Sequence, residues 1–296
     1  MATSQASIAA AVSYKTILLA TDFLSSSEAA LPCVQNLARL FDSTVIIAHA
    51  VPFESLYGLA AVPPVAGIDI EWQSAREAMH SYKVRHPFTG LRHEFLLERG
   101  DTRGVIVDLV NRLNVNLVVV GSHGRHGLQK LFAGSIAEQV FRTVPCPVLT
   151  VGPAAKQLPE NWSPRRILFS TEFAPRSLHA FQHALALAET FQAELVLQHI
   201  LPLVMREEQP ALAALYEKRL RDLLPAGAQQ QLNITCDVCF RLPEIGILET
   251  AREKDIDLIV MDVHHAHFPR WDAHMPGDSL CDVISKAHCP LLTVCG

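Results

Sequence analysis

The chain carries one pattern twice. ILLATDF at Ile17 returns as ILFSTEF at Ile167, and VIIAHAVP at Val45 returns as LVLQHILP at Leu195. NVNLVVVG at Asn114 returns as DIDLIVMD at Asp255, and CPVLTV at Cys146 returns as CPLLTV at Cys289. The spacing between the copies shortens towards the end, so the duplication includes small length changes. A tandem repeat limits the fold severely, because each copy must build the same kind of core. A chain of 296 residues suits two domains of about 145 residues each. The expected division is 1–152 and 165–296, with 153–164 as linker. The segment from Gly152 to Pro164, GPAAKQLPENWSP, is rich in proline and has no periodicity.

Within the first copy, short apolar runs alternate with helical stripes. Thr16 to Ala20 is expected as a strand, followed by Thr21-Asp22-Phe23. Ser25 and Glu28 have the spacing of a capping box, and Ala30, Val34, Leu37 and Phe41 make one helical stripe. Further strands are expected at Thr44 to Ala50, Leu91 to Glu98, Leu117 to Val120 and Val148 to Val151. The segment from Val51 to Gly67 is expected as a loop and Glu71 to Val84 as a helix. Asp101 is placed to cap a helix whose Val105, Ile106, Leu109, Val110 and Leu113 share a face. Strands alternating with helices predict an α/β fold: two tandem, doubly wound, parallel five-stranded sheets with helices on both faces.

The chemistry concentrates between Leu117 and Ser135, LVVVGSHGRHGLQKLFAGS. A buried strand runs into Gly121-Ser122-His123-Gly124. Gly134 and Ser135 then open a second helical pattern, with Glu138 at capping-box spacing. Glycines let main-chain amides approach an anion, and a helix N-terminus adds unpaired N–H groups. Ligands of doubly wound sheets bind beyond the carboxyl ends of the strands, where strand order reverses. Two loops have suitable residues: Thr21 and Asp22 after the first strand, and Gly121 to Gly124 after the fourth. No Walker A or dinucleotide GxGxxG pattern occurs.

The spacing Gly121-x2-Gly124-x9-Gly134-Ser135 resembles the nucleotide-binding signature of the universal stress protein family. The resemblance covers nearly the whole chain as two family domains. It implies strand order 3-2-1-4-5 in each half, which periodicity alone does not supply. It further implies that the first half binds ATP, with AMP or ADP as alternatives. The end of strand one, Ala20, Thr21 and Asp22, would border adenine and ribose, and Ala50 and Val51 would line the adenine pocket. The glycine signature implicates Val120, Gly121, His123, Gly124, Gly134, Ser135 and Ile136 at ribose and phosphates. Arg125 and Lys130 on the intervening loop would reach the outer phosphates.

The second half departs from this pattern. Gly121 is replaced by Asp262, Gly124 by His265 and Ser135 by Asp278, while Gly277 is kept and Glu172 stands for Asp22. Asp262 and Asp278 would put carboxylates where relatives hold phosphate. Two like charges about 4 Å apart repel by roughly 4 kcal/mol at an effective dielectric near 20. The second half is therefore expected not to bind ATP in the family manner. His264, His265, His267 and His274 are ligand types for zinc or nickel, but their spacing fits no ligand pattern, and no metal is expected.

Net charge of −5 and pI near 6.3 argue against a nucleic-acid partner. No run approaches the ~18–20 apolar residues of a membrane span. Cysteine usage is that of a reducing compartment, and a cytoplasmic protein is expected. Cys146 and Cys289 read as core, while Cys236 and Cys239 fall on opposite faces of one strand. No catalytic constellation stands out. The reading is an ATP-binding regulatory or stress-response protein, not an enzyme. A weak ATP hydrolase and a nucleotide-free interaction module are the alternatives. Val148 to Val151 and Leu291 to Val294 are expected to pair within one chain as a pseudo-dimer, with a homodimer as a further option. The protein partner is not identified.

Overall fold

In the computed structural model, residues 12–23, 25–52, 70–121, 140, 142–203, 205–263 and 279–295 are described. The first half runs β1 (Thr16–Ala20), α1 (Ser25–Glu28), α2 (Leu31–Phe41), β2 (Thr44–Val51), α3 (Ile70–Arg85), β3 (Arg92–Arg99), α4 (Thr102–Arg112), β4 (Leu117–Gly121) and β5 (Val148–Val151). The second runs β6 (Arg166–Ser170), α5 (Ser177–Phe191), β7 (Glu194–Leu201), α6 (Gln209–Asp222), α7 (Ala228–Gln231), β8 (Ile234–Phe240), α8 (Pro243–Glu253), β9 (Leu258–Val263), α9 (Ser279–Lys286) and β10 (Leu291–Cys295).

Each half has the order the resemblance implied. The halves are not separate sheets, however: they join edge to edge into one ten-stranded sheet, β3-β2-β1-β4-β5-β10-β9-β6-β7-β8. Among the described residues, every pairing within a half is parallel, and only the seam between β5 and β10 is antiparallel. At the seam Leu291 opposes Thr150, Leu292 opposes Leu149 and Thr293 opposes Val148. The pairing satisfies two edges that would otherwise present open N–H and C=O groups.

Strands buried on both faces explain the unbroken apolar runs in the sequence. On one face Leu19, Ile47, Val119 and Leu149 pack with helices α2, α3, α5 and α6. On the other, Leu18, Ile46, Val118 and Val148 pack with α4, α8 and α9. Both layers continue across the seam. The repeat reaches backbone detail. Non-glycine residues with left-handed φ fall at matching positions: Phe23 and Phe173, Asp42 and Gln192, Asn114 and Asp255. Two of these pairs lie in tight turns, while Asp42 and Gln192 terminate α2 and α5.

Local expectations hold unevenly. Asp101 caps α4, its Oδ1 accepting from the Gly104 amide at 2.9 Å. Ser25 and Glu28 bound the short helix α1; the Ser25 side chain, and with it the expected box, lies outside the described residues, and the Glu28 carboxylate meets Arg85 at 3.0 Å and His86 at 3.1 Å. The linker is a packed strap. Trp162 is buried and edge-on to Phe191, and Asn36 donates to the Glu160 carbonyl at 2.9 Å. Cys146 and Cys289 are buried but precede β5 and β10 instead of lying within them.

Candidate functional site

The carboxyl ends of β1 and β4 finish within one residue of each other, while β2 runs on beside them to Val51. Ala20 pairs with Ala48 on one side and Val120 on the other. This is the place where strand order reverses. The chain leaving β1 packs α2 on one face, whereas Val140, downstream of β4, packs on the other. A crevice between two such strand ends is where doubly wound sheets take ligands.

Thr21 builds one wall. Its amide continues the ladder to the Ala48 carbonyl at 3.0 Å, and its hydroxyl lies 2.7 Å from Ser27 Oγ. The same hydroxyl accepts from the Phe23 amide at 2.9 Å, closing a short Thr turn with Phe23 at φ 59°. His49 Nδ1 bonds the Thr21 carbonyl at 2.8 Å and Phe23 packs beside its ring. The turn leaves Asp22 exposed at the sheet's end, while Thr21 is buried beneath it. Below lies Tyr82, fully buried. Burial raises its phenol pKa most; the Glu28 and Asp22 carboxylates push the same way, and Thr21 and Arg85 oppose them.

The other expected residues divide clearly. Val51 is buried and Ala50 half-buried at the end of β2, paired with Arg99 and Glu98. Val120 is buried, and Gly121 closes β4 opposite Val151. Ala20, Thr21, Asp22, Ala50, Val51, Val120 and Gly121 thus gather at the ends of three adjacent strands. His123, Gly124, Lys130, Gly134, Ser135 and Ile136, with Arg125, lie outside the described residues. So do the histidines between β9 and α9. Among the described residues, no group of three or more His, Cys, Asp or Glu could hold a metal ion.

His49 is the residue the sequence reading missed. Its signal was available, because AHAVP and QHILP both keep the histidine. The second half repeats its role: His199 Nδ1 bonds the Thr171 carbonyl at 2.7 Å, and the Phe173 amide donates to Thr171 Oγ1 at 3.0 Å. Burial, and then the Arg219 charge, lower the His199 pKa, with the Thr171 bond opposing.

The second crevice differs in its charges. Asp262, in place of Gly121, ends in a side chain only 8% exposed, 3.5 Å from Arg176 Nε. The carboxylate expected at the end of this strand is therefore present, and an arginine from the loop before α5 pairs with it. Asp278 lies outside the described residues. Gln198, in place of Ala48, is fully buried and donates to Thr250 at 2.6 Å and Asp237 at 3.1 Å. Two other hollows, of about 540 and 570 Å³, lie away from both crevices, beneath the linker and beside α3 and β3.

Strand order, crevice and duplication define a tandem, doubly wound α/β protein with a candidate ligand site at each reversal point. The universal stress protein family model matches residues 13–152 and again 164–294. The chain belongs to the universal stress protein family. A universal stress protein of Methanocaldococcus jannaschii is 30% identical over 146 residues, covering 49% of this chain and 85% of that protein. Universal stress protein A homolog 2 of Coxiella burnetii is 32% identical over 142 residues, 47% of this chain and 94% of that protein. A solved universal stress protein from Archaeoglobus fulgidus superposes with TM-score 0.75 at 17% identity, over 95% of this chain and 96% of that one. No helix among the described residues is long and apolar enough to cross a membrane.

Proposed function

We propose that the first half binds one adenine nucleotide, ATP with AMP or ADP as alternatives, and that the second half serves as its structural partner. The observation that carries this is the adjacency of the β1 and β4 ends at the reversal point, with the Thr21–Asp22 turn on one side, Gly121 on the other and the longer β2 alongside. An exposed carboxylate at Asp22 suits a ribose hydroxyl or the adenine amino group as donor. Ala50 and Val51 offer a small apolar shelf for the base. The absence of a side chain at Gly121 leaves room for the nucleotide where the chain turns towards the family's phosphate signature. In the second crevice the Asp262–Arg176 pair fills the corresponding place. The activity proposed is binding and signalling of nucleotide state, in a cytoplasmic setting, without turnover.

The test uses the full chain, because an isolated half would expose β5 or β10 as an open edge. Calorimetric titration with ATP is expected to give micromolar affinity and one site per chain. Asp22→Ala should weaken it about tenfold or more, the value of one lost charge-assisted hydrogen bond. Gly121→Val should abolish it. No binding at millimolar ATP would remove the reading in favour of an interaction module. Two equal sites would remove the role given to the second half. Steady phosphate release lost in Asp22→Ala would favour the hydrolase.

A further inference from the structure

Seven cysteines are held as thiols, and two of them, Cys146 just before β5 and Cys295 at the end of β10, flank the seam. The antiparallel register sets Leu291 against Thr150, Leu292 against Leu149 and Thr293 against Val148. Continued two residues past the last rung, through the bend that precedes β5, it brings Cys295 towards Cys146. Directly opposed residues of an antiparallel pair have Cα atoms about 4.5–5.5 Å apart and side chains on the same face. That is within the ~4.4–6.8 Å range a disulfide spans. Packing agrees independently: both side chains lie against the layer containing Val148, Ile284 and Leu291, whereas Val294 and Leu149 lie in the opposite layer. The thiols are also near enough for a negative charge on Cys295 to disfavour one on Cys146.

The comparison of the repeats makes the pair specific. Cys295 occupies the position that Gly152 holds in the first copy. By the same register Gly152 faces Cys289, so the mirror-related site has one thiol and no partner. Gly152 cannot simply be exchanged for cysteine, because a Cβ there would meet the Ile284 carbonyl oxygen at 2.0 Å. The second copy already carries a side chain at this position, Cys295, half-buried at the end of β10.

We infer that Cys146 and Cys295 form an oxidation site, closing into a disulfide that staples the two halves of the chain across the β5–β10 seam. The oxidant is a peroxide. Cys295, the less buried, attacks the peroxide oxygen as thiolate; the O–O bond breaks, hydroxide leaves, and a sulfenic acid results. The Cys146 thiolate then attacks that sulfur, the S–O bond breaks and a second hydroxide leaves. With the two thiol protons the balance is two thiols and one hydrogen peroxide giving one disulfide and two waters. Burial pushes the Cys295 thiol up to about 11 and Cys146 up to about 12. Little thiolate exists at neutral pH, so closure is slow there and accelerates with rising pH.

The experiment treats the full chain with hydrogen peroxide at pH 8.5, alkylates the remaining thiols and digests without reduction. A Cys146 peptide joined to a Cys295 peptide is expected, lighter than their sum by two hydrogens and separated by reductant. The oxidised chain should also melt higher than the reduced one by about 5 °C or more, since the bond closes a long loop. Cys295→Ala and Cys146→Ala should each abolish both effects; the half-buried Cys295 is the variant expected to fold normally. Recovery of both residues as alkylated thiols or oxygen adducts overturns the inference. So does linkage of Cys295 to Cys281, or an unchanged melting temperature with the link present.

Discussion

Asp262 shows how one side chain can close a site. A glycine at the equivalent place in the first half leaves the strand end open, and the carboxylate fills it. The charge is tolerated because Arg176 approaches to 3.5 Å, with the carboxylate 8% and the guanidinium 38% exposed. Removing one partner of such a pair strands the other. Arg176→Met is therefore expected to destabilise the protein by about 1–3 kcal/mol, the solvent-facing arginine limiting the effect. Urea unfolding measures this, and Asp262→Asn in the same background should recover part of the loss. If Arg176→Met unfolds at the wild-type midpoint, the pair is a surface contact only. The sequence shows the aspartate and hides the arginine: nothing in EFAPRSLHA marks Arg176 as the residue that turns towards β9. That partnership exists only after folding.

At the scale of elements, what was readable follows the range of the forces involved. Thr16–Ala20 and Val148–Val151 match their expected bounds because a strand buried on both faces must be apolar along its length. The Asp101 cap was readable because its acceptor reaches an amide only three residues away. Glu28 shows a contact that local spacing does not announce: its carboxylate meets Arg85 at the end of α3 and His86 just beyond it. The strap from Gly152 to Pro164 lacks periodicity because its order comes from contacts at single residues: Trp162 in the core, Asn36 on Glu160, and the Lys156 amide on the His288 carbonyl at 2.9 Å. Of the candidate site, the strand ends were legible through the apolar runs that lead into them. His49 was overlooked because a lone histidine carries no periodicity, although the repeat preserves it. Gly152 permits the sharpest prediction at this scale. A methyl group there would lie 2.0 Å from the Ile284 carbonyl oxygen at the end of α9. Backbone against backbone leaves no flexible atom to yield, so Gly152→Ala should cost about 2–3 kcal/mol or more. A wild-type denaturation midpoint would show that α9 can shift away.

For the whole molecule, the seam determines how the halves share stability. β5 and β10 continue one sheet, and both hydrophobic layers cross it, so neither half ends at its own fifth strand. A polar contact crosses as well. Tyr14, preceding β1, bonds through its hydroxyl to His183 Nδ1 on α5 at 2.7 Å, with the two rings stacked. Tyr14 is buried, and burial holds its phenol above its ordinary pKa, so the hydroxyl donates and a neutral imidazole accepts. Burial, assisted by the neighbouring His179, lowers the His183 pKa to about 4. The ordinary value is about 6.5, and the sign follows from that difference. Above pH 6.5 the imidazole is neutral whether the chain is folded or unfolded, and no penalty arises. Between pH 6.5 and 4 the unfolded chain takes up a proton that the folded chain refuses, so stability falls as the medium is acidified. Below pH 4 both states are charged and this contribution levels off. The full loss is on the order of 3 kcal/mol. His183→Gln keeps an acceptor for Tyr14 but cannot titrate. Urea unfolding at pH 7.5 and pH 4.5 should therefore show a smaller drop for the variant than for wild type. Equal drops in the two proteins would place the acid sensitivity of the seam in other groups and leave the Tyr14–His183 contact a pH-independent bond.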